Sequence, residues 1–150
     1  MRKSAYLLSM AVFGLGLAAA FAGDAESLIG EWEITELVVG GKKVEEKEIK
    51  GMKFVFDKEK LTIVPPAADG GIVDKRTFSY KVDSKAKPAT VMLTALDGEH
   101  KGTVSPGIFE IEKGTMKWCQ SDEPKAKEPP KTFESPEKSA IYLFTFKKGK

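Results

Sequence analysis

The sequence predicts an all-β protein, an up-and-down antiparallel barrel of about eight short strands placed after an N-terminal signal peptide. Three observations carry this expectation. From Leu28 onward, apolar residues recur with a period of two rather than 3.6. The apolar runs are short, and most are separated by turn-forming residues at regular spacing. Residues 23–150 make one domain's length, and sequential hairpins in a chain of that size favour closure, which removes both sheet edges. Periodicity alone is equally met by a sandwich.

The elements follow in order. Arg2 and Lys3 form a positive start, Tyr6 to Ala19 a mostly apolar run, and Ala20-Phe21-Ala22 a small-x-small cleavage pattern before Gly23. Residues 1–22 therefore read as a signal peptide, and residues 23–150 as an exported domain, periplasmic or extracellular and soluble, with no membrane span after cleavage. Ile29-Gly30-Glu31-Trp32-Glu33-Ile34 alternates apolar and acidic residues as a half-buried strand does, and continues through Val38-Val39 to a break at Gly40-Gly41. Val44 to Lys50 is the one helix candidate, short and charged enough to be a single turn or a loop. Met52 to Phe56 and Leu61 to Val64 are paired runs around Asp57-Lys58-Glu59, the second stopped by Pro65-Pro66. Thr77 to Val82, Thr90 to Thr94, Gly107 to Ile111, Thr115 to Cys119 and Ala140 to Phe146 complete the set. Ser121 to Pro136, rich in Pro, Lys and Glu, reads as a long irregular connection.

Charge and composition exclude several functions. The 150-residue chain carries 24 basic and 22 acidic residues, and removal of Arg2 and Lys3 leaves 22 of each. A neutral protein with mixed-sign Lys/Glu runs has no phosphate-tracking stripe, so no nucleic-acid partner is expected. One Cys and one His are too few for a zinc site, and Asp69-Gly70-Gly71 and Asp97-Gly98-Glu99-His100 lack calcium-loop spacing, so no metal or cofactor is expected. His100 reads as an exposed turn residue. Ser105 and Cys119 lie in no nucleophile motif, and alternation puts Glu31 and Glu33 on an outer face. The expectation is a protein that is not an enzyme, with Cys119 buried in its strand.

Period two then selects the interior. If Trp32 points inward, so do Ile34, Phe54, Phe56, Leu61, Ile63, Phe78, Tyr80, Val91, Leu93, Phe109, Ile111, Met116 and Trp118. Among these Phe54, Phe56, Phe78, Tyr80, Phe109 and Trp118 are the candidate ligand-binding residues. A small barrel of this kind is either filled by its own side chains or left open for one ligand.

Leu28-Ile29-Gly30-Glu31-Trp32 resembles the Gly-x-Trp opening of lipocalin-like barrels, with Gly30 and Trp32 as the structural motif. The motif is joined in order by Gly41-Lys42, Lys60-Leu61-Thr62, Asp83-Ser84, Lys87-Pro88, Lys101-Gly102, Gly107-Ile108-Phe109-Glu110 and Trp118-Cys119. Together they are similar to the short lipocalin-like domain that recurs in exported planctomycete proteins. The chain departs from that pattern at Pro129, where an arginine is expected, and at Met92, where an aspartate is. The resemblance implies a lipocalin-like barrel and export, and it assigns no activity. Two functions follow: binding of a small apolar or amphipathic ligand in the barrel mouth, with the charged 42–50 segment as a rim, or a cell-envelope interaction or structural module with a filled core. In the second, the partner is an envelope protein and the 121–136 segment is its contact surface.

Overall fold

The computed structural model describes residues 25–66, 75–123 and 126–149. Residues 1–22, read above as a signal peptide, and Asp69-Gly70-Gly71 lie outside the described residues. A single helical turn, α1 (Ala25–Leu28), precedes β1 (Gly30–Val39), and β2 (Lys42–Lys43) folds back on its end. A second single turn, α2 (Glu46–Ile49), leads into β3 (Lys53–Phe56), β4 (Lys60–Val64), β5 (Arg76–Asp83), β6 (Ala89–Ala95), β7 (Val104–Glu112), β8 (Thr115–Ser121) and β9 (Ile141–Lys148).

Every pairing is antiparallel between sequence neighbours, apart from the β1–β3 pair that bypasses β2, and β1 closes the ring on β9. The result is the expected closed barrel of eight strands, with β2 as an appendage of β1. Closure is longest at the β1–β9 seam, where the register runs from Trp32 opposite Lys148 to Val39 opposite Tyr142.

Strict alternation fails once, on β1. Trp32 and Ile34 face inward, but a bulge between Ile34 and Glu36 inserts one residue and turns Leu37 and Val39 to the interior instead. The simple period through Val38 is corrected accordingly. Glu31 and Glu33 are exposed, as alternation predicts. Gly40 and Gly41 both have positive φ, 57° and 81°, as a two-residue turn between Val39 and Lys42 demands.

Several strands outrun their apolar stretches, and two of these extensions shape the interior. β7 starts at Val104, three residues before Gly107, because Pro106 pairs with Met92 although it has no N–H to give. β8 continues past Cys119 to Ser121, held by β9 through Gln120 opposite Tyr142 and Ser121 opposite Ile141. The 44–50 segment resolves into the single turn α2, which buries Ile49.

All fourteen residues selected by alternation belong to the interior cluster, with Ile34, Ile63 and Phe78 only partly buried. The barrel also has a covered outer patch on β7 and β8. Ile108 and Cys119 are opposite each other and fully buried, yet they face away from Phe109 and Trp118. The 126–140 segment crosses here, and the Cys119 thiol donates to the Glu134 carbonyl at 3.6 Å. Ser135 ties the same segment down, its hydroxyl donating to the Ile141 carbonyl and accepting from the Gly41 N–H. Burial pushes the Cys119 thiol above its ordinary pKa.

Candidate functional site

Chain direction separates the two ends of the barrel. At the base lie the 57–59, 84–88 and 113–114 turns and both ends of the described chain; at the mouth lie residues 40–52, 65–66, 75, 96–103, 122–123 and 126–140. The base is sealed. Trp32, 1% exposed, donates its indole N–H to the Leu28 carbonyl at 2.8 Å. Lys148 lies over the Trp32 ring at 4.6 Å and donates to the Ile29 carbonyl at 2.6 Å. Gly30, with φ of 123°, makes room for this, since a Cβ there would stand 2.7 Å from the Lys148 ammonium.

Above this plug the barrel is packed with rings. Phe54 sits 4.5 Å from Phe146, 5.2 Å from Phe144 and 5.9 Å from Trp118, centroid to centroid. Phe56 meets Tyr80 edge-on at 5.4 Å, and Phe109 stacks on Trp118 at 5.6 Å. Tyr80 donates its hydroxyl to the Asp57 carbonyl across the 57–59 turn. The Asp57 carboxylate accepts from the backbone N–H groups of Glu59 and Lys60, which hold its pKa below the ordinary carboxylate value.

Toward the mouth the packing stops, and a cavity of about 800 Å³ opens. Phe54 and Trp118 form its floor, and Met52, Ile63, Phe78, Leu93 and Phe144 form apolar walls. Lys47 and Glu48 of α2, Arg76 of β5 and Asp122 after β8 stand at its exposed rim, two of each sign. The volume falls in the range that holds one small organic ligand.

The structure divides the six candidate binding residues. Phe54, Phe78 and Trp118 line the cavity, whereas Phe56, Tyr80 and Phe109 lie in the packed half below it. Alternation identifies the inward face but not the depth along the axis, and depth decides between wall and filling. The charged 42–50 segment does supply rim residues, Lys47 and Glu48.

Three uncharged polar wall residues, Ser105, Gln120 and Tyr142, escaped the sequence reading as a site. Ser105 is partly buried on β7, and among the described residues no hydrogen bond links it to a titratable side chain. Gln120, 9% exposed, accepts from the Trp118 indole N–H at 2.9 Å and donates to the Pro106 carbonyl at 3.1 Å. The signal for Gln120 was present: it is the next inward position after Trp118, on a strand that extends two residues further than its apolar run. His100 lies exposed in the 96–103 segment.

Among the described residues, no group of His, Cys, Asp and Glu is placed to hold a metal ion, and no helix is long and apolar enough to cross a membrane. No protein-family model, no curated protein and no solved structure matches the chain.

Proposed function

We propose that the protein is an exported, non-enzymatic lipocalin-like barrel that takes one small apolar or amphipathic molecule into the cavity at its mouth. The observation that carries the reading is the cavity itself, floored by Phe54 and Trp118 and walled by apolar side chains above a base that the protein seals with its own residues. Burying apolar ligand surface there contributes about 25 cal/mol per Å² before the costs of ordering. Among the described residues the rim carries two cationic and two anionic side chains, a balance that favours neither sign of charge on what enters. Binding fits better than catalysis because, among the described residues, the polar groups of the wall below the rim are uncharged and no titratable side chain is hydrogen-bonded to Ser105.

Native mass spectrometry of protein purified gently from its own extracellular or periplasmic fraction tests this. The expected result is a reproducible small-molecule adduct that is lost on denaturation and reduced in a Ser105→Trp variant, whose indole intrudes into the cavity. A bare chain from the native source would overturn the reading.

A further inference from the structure

We infer that Gln120 is a specificity-determining residue, and that the ligand is a neutral, largely apolar molecule carrying a carbonyl or hydroxyl group that Gln120 reads. The inference rests on the binding role proposed above for this cavity and names its ligand class.

Gln120 is held as a built recognition group rather than as packing. An amide has two N–H donors and an oxygen with two lone pairs. The Trp118 indole takes one lone pair at 2.9 Å, and the Pro106 carbonyl takes one N–H at 3.1 Å. Both neighbours also fix the amide's orientation, since the indole can only donate and the carbonyl can only accept. One N–H and one lone pair remain on a side chain that lines the cavity.

The backbone is shaped to permit this. Gly107 is opposite Gln120, and a Cβ at Gly107 would stand 2.5 Å from the Gln120 Oε1 and 2.9 Å from the Cys119 carbonyl oxygen. Any larger residue at 107 displaces the amide. The residues opposite, Phe54, Ile63 and Phe78, are apolar, whereas the β7–β9 side presents Ser105, Gln120 and, paired with Gln120, Tyr142. The cavity is thus apolar on one side and polar, but uncharged, on the other.

That arrangement selects among ligands. A buried amide N–H without an acceptor is costly, so a pure hydrocarbon leaves it unsatisfied once water is displaced. Among the described residues, an ionised group at that depth finds no counter-charge, because Lys47, Glu48, Arg76 and Asp122 are all exposed at the rim. A neutral carbonyl or hydroxyl meets both conditions.

The test compares 2-acetylnaphthalene with 2-isopropenylnaphthalene, which has CH₂ in place of the carbonyl oxygen, by equilibrium dialysis against the full chain. Each affinity is divided by the probe's partition into octanol. The expected result is a preference of about tenfold for the ketone in the wild type, lost in Gln120→Met, which keeps the length of the side chain without its polar atoms. Binding of both probes in proportion to their partition overturns the role of Gln120 while leaving the cavity reading intact, and so does a ketone preference that survives in Gln120→Met. Binding of neither probe overturns both. If Gln120→Met does not fold, Gln120→Leu takes its place: a ketone preference lost there supports the role of Gln120, and one that survives overturns it.

Discussion

The base and the mouth of this barrel use the same eight strands to opposite ends. At the base the connections are short turns, and the rings of Trp32, Phe56, Tyr80, Phe109 and Phe146 fill the space between strands. At the mouth the connections are long, β2 and α2 are spliced into one of them, and the interior side chains stop short of meeting. Short turns hold strand ends close enough for facing side chains to interdigitate at interior density. Long segments leave the strand ends covered from outside instead, as residues 126–140 do over Ile108 and Cys119. Packing is therefore concentrated at one end, and open interior space at the other.

The contrast is broken most severely at the plug. Trp32→Ala removes a fully buried ring, its hydrogen bond to Leu28 and the seat of Lys148, and is expected to cost about 3–5 kcal/mol in urea unfolding. If the base is the stabilising end, no mouth substitution approaches this value.

Gly107→Ala lies at the boundary between the two regimes. The added methyl meets the Gln120 amide oxygen and the Cys119 carbonyl, with an expected loss of about 1–3 kcal/mol by denaturation. The amide should also leave the Trp118 indole, which a change in the indole N–H chemical shift would report.

A smaller effect separates the base by its response to pH. Burial raises the Tyr80 phenol, and the nearby Asp57 carboxylate raises it further. The folded state then keeps its proton longer than the unfolded chain. The corresponding stability is complete below about pH 10, where a free tyrosine ionises, and is lost as pH rises through the higher folded value. Tyr80→Phe should cost about 1 kcal/mol at pH 7 through its lost hydrogen bond. It should also flatten the alkaline decline in melting temperature, whereas an unchanged decline would assign it to other groups.

The mildest change in stability is expected at the mouth. Phe78 is only partly buried on the cavity wall, so Phe78→Ala should cost about 1 kcal/mol or less. Its effect should appear in binding, as weaker retention of apolar probes. A loss of stability equal to that of Trp32→Ala would erase the distinction between the two ends.

Much of the fold was legible because a strand repeats every two residues. Once Trp32 is taken as inward, Phe54, Tyr80, Val91, Phe109 and Trp118 follow without further information, and all lie inside. The bulge after Ile34 was not legible, since a single inserted residue leaves no local signature in Thr35-Glu36-Leu37. Val104-Ser105-Pro106 was missed because proline argues against an interior strand, and here the barrel accepts one lost donor opposite Met92. Gln120 was missed because its strand was ended with its apolar run.

By itself, then, the sequence determined the period, the inward face and the antiparallel hairpin order, all of which depend on residues near one another in the chain. Only the tertiary structure decided how deep each inward residue lies, where the filling ends and the cavity begins, and that Pro106, Gly107, Trp118 and Gln120 form one group. Those features depend on register and shear between strands and on which loops allow their ends to close. They arise from contacts across the sheet that no stretch of a single strand encodes.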